Sequence, residues 1–157
     1  MTHDTYRDAL GAFATGLVLV TARGCGGKPD GLIVSSFTSV SLDPPLVAFC
    51  PSVDSLTWKR MRQAGLIGVN VLADEHAEYA RAAAAPGANR FAGVVHGETP
   101  AGVPRIDRTL AFLECRLEEE VRAGDHWIVV ARVEAAEADR SRGPLVNWAS
   151  GFRGLAA

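Results

Sequence analysis

Two clusters in this chain have the residue types and spacing to do chemistry. The first is Ser52-Val-Asp-Ser-Leu-Thr-Trp-Lys-Arg60, where Ser55 has the side chain of a helix N-cap. A helix that starts there presents free N–H groups and the positive end of its dipole. Thr57 adds a hydroxyl and Lys59 or Arg60 a cation, so the turn holds the parts of an anion site, suited to a phosphate. Read by itself, the segment is equally an ordinary capped surface helix. The second cluster is Gly124-Asp-His126, a turn that delivers an imidazole to the start of a strand. A lone histidine at a turn can also be incidental.

Upstream, Ile33-Val-Ser-Ser-Phe-Thr-Ser39 interrupts β-branched residues with small hydroxyls at Ser35 and Ser36. Small side chains let a planar ring approach the backbone closely, though a strand with one polar face has the same pattern. Phe49-Cys-Pro51 is expected alongside, with Cys50 as a small apolar filler, since no second cysteine or local cation is near in sequence to activate it. Asn89-Arg-Phe-Ala-Gly93 offers Arg90 to a phosphate, or else a surface arginine with Phe91 anchoring a loop. The cluster Gly24 to Lys28 fails as a phosphate-binding P-loop: Ala22 stands at the first required glycine and Pro29 at the metal-binding hydroxyl. His3, His76 and His96 share no ligand spacing, so no metal site is expected.

The elements that must position these residues follow from periodicity. Tyr6, Leu10, Phe13 and Leu17 recur at helical spacing, and Thr15-Gly16 stops the run. Strands are expected over Leu17–Ala22 and Leu32–Ser39, paired as a hairpin across the glycine-rich turn, and over Leu46–Cys50 after Asp43-Pro-Pro45. A helix over Ser55–Ala64, a strand over Leu66–Leu72 and an alanine-rich helix over Glu75–Ala85 come next. Pro86–Pro104, with four glycines and three prolines, reads as a long loop, functional or mobile. A hairpin of Leu110–Glu120 with Trp127–Ala136 and a short strand from Leu145 complete the chain. About six antiparallel strands with peripheral helices predict a mainly β (α+β) fold, a closed or split β-barrel in one domain over residues 1–157, rather than a doubly wound parallel sheet.

Composition narrows the partners. With 16 basic and 18 acidic residues the net charge is −2 and no basic run forms, which argues against nucleic acid. The odd set Cys25, Cys50 and Cys115 fits neither a disulfide framework nor a metal knuckle, so a reducing cytoplasm is the expected home. No signal pattern and no run of about 18 apolar residues is present, so neither export nor a membrane is expected. The 48% hydrophobic content is high for so small a chain and points to self-association.

Gly31 to Lys59 together with Gly124-Asp-His126 resembles the flavin reductase family, the NAD(P)H:flavin oxidoreductases that supply reduced flavin to two-component monooxygenases; the likeness runs from about Tyr6 to Val146. The resemblance implies a split-barrel homodimer that binds FMN or FAD at the subunit interface and takes hydride from NADH or NADPH, with a flavin-dependent monooxygenase served through diffusible reduced flavin. It implies that the flavin ring lies along Ile33, Val34, Ser35 and Ser36, with Phe49, Cys50, Pro51 and Ser52 beside it. Ser55, Thr57 and Lys59 would hold the phosphate, and Arg90 and Phe91 would sit near the ribityl and phosphate end or cover the ring. His126 would position the nicotinamide, and no protein acid or base is implied, because the cofactors carry the chemistry. Many members have Asn where Ser35 stands, Trp127 replaces a smaller residue, and Leu145 to Arg153 departs from the usual ending. The same barrel hosts pyridoxamine-phosphate-oxidase-like enzymes and non-catalytic electron carriers, which remain the alternatives.

Overall fold

Runs of aliphatic and β-branched residues, cut by glycine, proline and Asx turns, set the strands. In the computed structural model, which describes residues 1–155, the chain begins α1 (His3–Gly11), β1 (Thr15–Gly16), β2 (Val18–Arg23), β3 (Pro29–Val34), β4 (Thr38–Leu42), β5 (Pro45–Phe49) and α2 (Leu56–Met61). It continues β6 (Leu66–Val71), α3 (Ala77–Ala84), β7 (His96–Glu98), β8 (Pro104–Ile106), β9 (Ala111–Ala123), β10 (His126–Ala138), β11 (Leu145–Trp148) and β12 (Gly151–Gly154).

Seven strands form one antiparallel sheet in the order β3-β2-β6-β9-β10-β5-β4. Its two edge strands, β3 and β4, are consecutive in the chain and joined only by Ser35-Ser36-Phe37, so the sheet curls until its edges come together at that link. Among the described residues no ladder joins β3 to β4. The expected strand over Leu32–Ser39 is therefore two strands with a break. At the break Ser36 Oγ accepts the backbone N–H of Cys50 at 2.9 Å, and this side-chain bond stands where a ladder bond would otherwise run.

The inner face of the curled sheet buries Val20, Phe49, Ile67, Val69, Cys115 and Val129, and α2 closes it with Trp58 and Met61. The Phe49 and Trp58 rings meet edge to face with centroids 5.2 Å apart, an arrangement worth roughly 0.5–1.5 kcal/mol beyond the area it buries. Burial also pushes the Cys115 thiol up to about 12. The outer face is covered by a second cluster, Leu17, Leu19, Leu72, Ala80, Ile106 and Leu145, contributed in part by α3 and β11.

The stretch expected as a long loop ends in order. β7 and β8 pair, Val103 and Ile106 are buried, and β8 is clamped to the sheet by polar bonds. Asn70, fully buried, donates to the Leu19 carbonyl at 3.0 Å and accepts from the Ile106 N–H at 2.8 Å, while the Thr21 hydroxyl donates to the Pro104 carbonyl at 2.5 Å. The single tail strand is instead a hairpin, β11 with β12, and β11 pairs with β1. Among the described residues no helix is long and apolar enough to cross a membrane.

The first helix departs most from expectation. α1 ends at Gly11 and buries no residue, and its apolar positions Tyr6 and Leu10 stand half exposed. The helical spacing is real, but the stripe faces an open cavity rather than the core.

Candidate active site

The segment after β5 turns on its own serines. Ser52 Oγ accepts the N–H of Asp54 at 3.2 Å, the Ser55 N–H bonds the Ser52 carbonyl at 3.1 Å, and Ser55 Oγ caps α2 by accepting the Trp58 N–H at 3.1 Å. Two successive side-chain bonds thus hold the approach to α2 in one conformation.

The tip of the β9–β10 hairpin is delivered to this turn by backbone. Gly124, at φ +63, takes the left-handed conformation that a two-residue hairpin turn requires. The Trp127 N–H bonds the Pro51 carbonyl and the Val53 N–H bonds the Asp125 carbonyl, both at 2.9 Å, with a β-bridge between Ser52 and His126. His126 Nδ1 lies 2.8 Å from Asp125 Oδ1. A carboxylate only accepts, so the Nδ1 position carries the proton and Nε2 is left for a ligand. The hydrogen bond from His126, and then its charge, hold the Asp125 carboxyl below its ordinary range.

These pieces enclose a cavity of about 820 Å³. Nine of the fourteen residues singled out from the sequence line it: Ile33, Val34, Ser35 and Ser36 at the end of β3, Cys50, Pro51, Ser52 and Ser55 in the turn, and His126 opposite. Five stand elsewhere. Phe49 is wholly in the core, one residue before the lining. Thr57 Oγ1 accepts from Arg60 at 3.4 Å, and Arg60 is itself paired with Asp30 at 2.7 Å. Lys59 points into solvent on the second turn of α2. Arg90 donates to the carbonyls of Ala88 at 2.5 Å and Ala85 at 3.3 Å, and its stem lies against Gly31, where a Cβ would come within 3.2 Å of it. Phe91 packs in the outer cluster with its ring 4.8 Å from that of His96.

Six lining residues were missed: His3, Tyr6, Arg7 and Leu10 of α1, Leu32, and Asp125. The spacing 3, 6, 7, 10 marks one helical face, and the two polar members among its apolar ones were the available signal that this face meets a polar space. The cavity contains small hydroxyls, exposed backbone, apolar walls and an imidazole of fixed tautomer. The Ser36, Ser52 and Ser55 hydroxyls are committed to backbone N–H groups. Such a cavity is equipped to bind and orient a planar ligand that brings its own reactivity.

Known proteins with this chain's pattern point the same way. The family model described as the flavin reductase like domain matches residues 10–156. A flavin reductase of Pseudomonas putida is 38% identical over 152 residues, covering 97% of this chain and 89% of that protein. The structure of nitrilotriacetate monooxygenase component B from Mycobacterium thermoresistibile superposes with a TM-score of 0.92 at 32% identity, covering 98% of this chain and 86% of that one. The NADH:FAD oxidoreductase SgcE6 of Streptomyces globisporus, solved with NAD and FAD fragments, superposes with a TM-score of 0.90 at 32% identity, over 98% of this chain and 92% of that one. A curled antiparallel sheet, a cavity at its seam and a family match along almost the whole sequence converge, and the chain belongs to the flavin reductase family.

Proposed function

We propose that this protein is an NAD(P)H:flavin oxidoreductase, a split-barrel domain spanning residues 1–157 that reduces FMN or FAD with NADH or NADPH and passes the reduced flavin to a monooxygenase in the cytoplasm. The observation that carries this reading is the single cavity in which Ser35, Ser36, Ser52, Ser55 and His126 meet, in a chain of this family. Its volume, about 820 Å³, lies inside the roughly 300–1,000 Å³ range of small-molecule sites. Ser35 and Ser36 leave the room that a flat ring needs, and the first-turn N–H groups of α2 beyond Ser55 are free to take a phosphate.

The flavin would supply the hydride acceptor and the nicotinamide the donor. The protein's part is to hold them. Ser36 and Cys50 fix the floor through their mutual bonds, the Ser52–Ser55 turn would anchor the phosphate end with Thr57 and Lys59 behind it, and His126 would present Nε2 to the nicotinamide. Arg90 and Phe91 would act through the loop they brace. A homodimer that completes the flavin site belongs to the same reading.

Turnover of NADH and of NADPH, each with FMN, FAD and riboflavin, tests the proposal. Steady oxidation of a nicotinamide that depends on added flavin is expected. Flavin binding with no turnover would give the protein to the electron carriers instead.

A further inference from the structure

A second cavity of about 710 Å³ opens beside the first and shares Arg7, Leu10, Ser35 and Ser36 with it. Its walls are the C-terminal end of α1 with the link into β1, the break between β3 and β4, and the β11–β12 turn. The walls are tied together: the Ala149 N–H bonds the Gly11 carbonyl at 3.0 Å, and Thr15 pairs with Asn147.

Four features of this space describe a ligand. Trp148 lines it with its ring 43% exposed, while Arg153, which does not line it, lies 5.0 Å from the ring centroid and backs the indole from outside. The ring is therefore a supported platform for stacking. Phe13, 73% exposed, offers a second aromatic surface in the same space. Polar groups lie close by: the Asn147 side chain lines the cavity, and the Thr15 hydroxyl on the neighbouring strand is buried with no hydrogen-bond partner among the described residues. At the seam between the two cavities, Arg7 has no ion pair or side-chain hydrogen bond among the described residues, although most arginines of the chain have one. The turn that carries Trp148 is also held in an unfavourable form, with Ala149 at φ +49 and Ser150 at φ +60, a conformation that glycine adopts far more readily. Strain of that kind is retained where a side chain has to be aimed.

An aromatic platform, amide and hydroxyl groups for the edge of a base, and a free guanidinium towards the first cavity make up the recognition set of a purine nucleotide. We propose that the second cavity binds the adenylate half of the nicotinamide dinucleotide, with the base on Trp148 and the phosphates at Arg7, while the nicotinamide end enters the first cavity. The inference rests on the reductase reading and adds that the protein selects dinucleotide over mononucleotide reductants.

The test compares NADH with reduced nicotinamide mononucleotide, which lacks the adenylate, at saturating FMN, and follows binding of adenosine monophosphate separately by quenching of tryptophan fluorescence. In the wild type, adenosine monophosphate should quench the fluorescence and compete with NADH. In Trp148→Ala the preference for NADH over the mononucleotide, as a ratio of kcat/KM, should fall about tenfold, and Trp148→Phe should restore most of it. Equal loss on both reductants, or no preference in the wild type, overturns the site while the reductase stands. Quenching by adenosine monophosphate in a wild type that oxidises neither reductant supports the site and sinks the reductase reading. If Trp148→Ala keeps the preference but sediments at half the wild-type mass, the cavity belongs to a second copy of the chain and the proposal is wrong.

Discussion

His126 owes its place to main chain on both sides: the bonds of Trp127 to Pro51 and of Val53 to Asp125 fix the tip, and Asp125 then fixes the ring. Removing the imidazole leaves those backbone bonds intact, so His126→Ala should fold normally and lose only what the ring does. The expected result is a KM for NAD(P)H raised by about tenfold with a smaller fall in kcat, and a flavin affinity near that of the wild type. Steady-state kinetics with a flavin titration checks this; a rate abolished at saturating NAD(P)H would mean a direct chemical role. This residue was legible because Gly124-Asp-His126 is a compact local motif. Arg7 was not, because its importance depends on which space α1 faces, and helical periodicity reports a face without reporting what lies opposite it. Arg90 shows the converse limit: a conspicuous cation in the sequence whose donors go to the carbonyls of its own loop.

At the scale of elements, the clamp between β8 and the sheet depends on one close approach. A Cβ on Gly68 would fall 2.6 Å from Thr21 Oγ1, 2.7 Å from the Phe112 ring and 3.0 Å from the Pro104 carbonyl oxygen. Two of the three obstacles are buried and rigid, so Gly68→Ala should destabilise the protein by about 1–3 kcal/mol. Chemical denaturation should show a lower midpoint with the slope unchanged, whereas a shift below about 0.5 kcal/mol would show that the strands separate freely there. Strand positions were readable wherever turn residues bracket an aliphatic run, as around β2, β5 and β6. The interruption at Ser35–Phe37 was not, since it comes from a side-chain bond to Cys50, fourteen residues along the chain from Ser36. The order within Pro86–Pro104 was hidden for the same reason: its anchors, Asn70 and Thr21, are distant in sequence.

For the molecule as a whole, the apolar residues that the core does not take are concentrated on certain elements. Leu42 is 94% exposed and Val40 53% on edge strand β4, and Val121 and Ile128 stand outward, opposite each other on the β9–β10 hairpin. An edge strand with such a surface is ordinarily covered. Sedimentation of the purified protein should therefore give roughly twice the chain mass, and a monomer at micromolar concentration that still retains flavin would refute the dimer. High hydrophobic content alone raised this expectation, but which strands would carry the excess required the sheet order.

That sheet order also governs when the site comes into being. β10 must insert between β9, its immediate neighbour in sequence, and β5, whose Ala48 it meets through Val130. Pairings of such long sequence separation close large loops and are made late in folding. Because His126 reaches Ser52 only through that insertion, no N-terminal fragment that stops short of the hairpin tip contains the complete cavity, however well its own strands form. The capacity to bind ligand thus arrives with the most remote contacts in the chain, and occupancy of the cavity is a report that folding has finished.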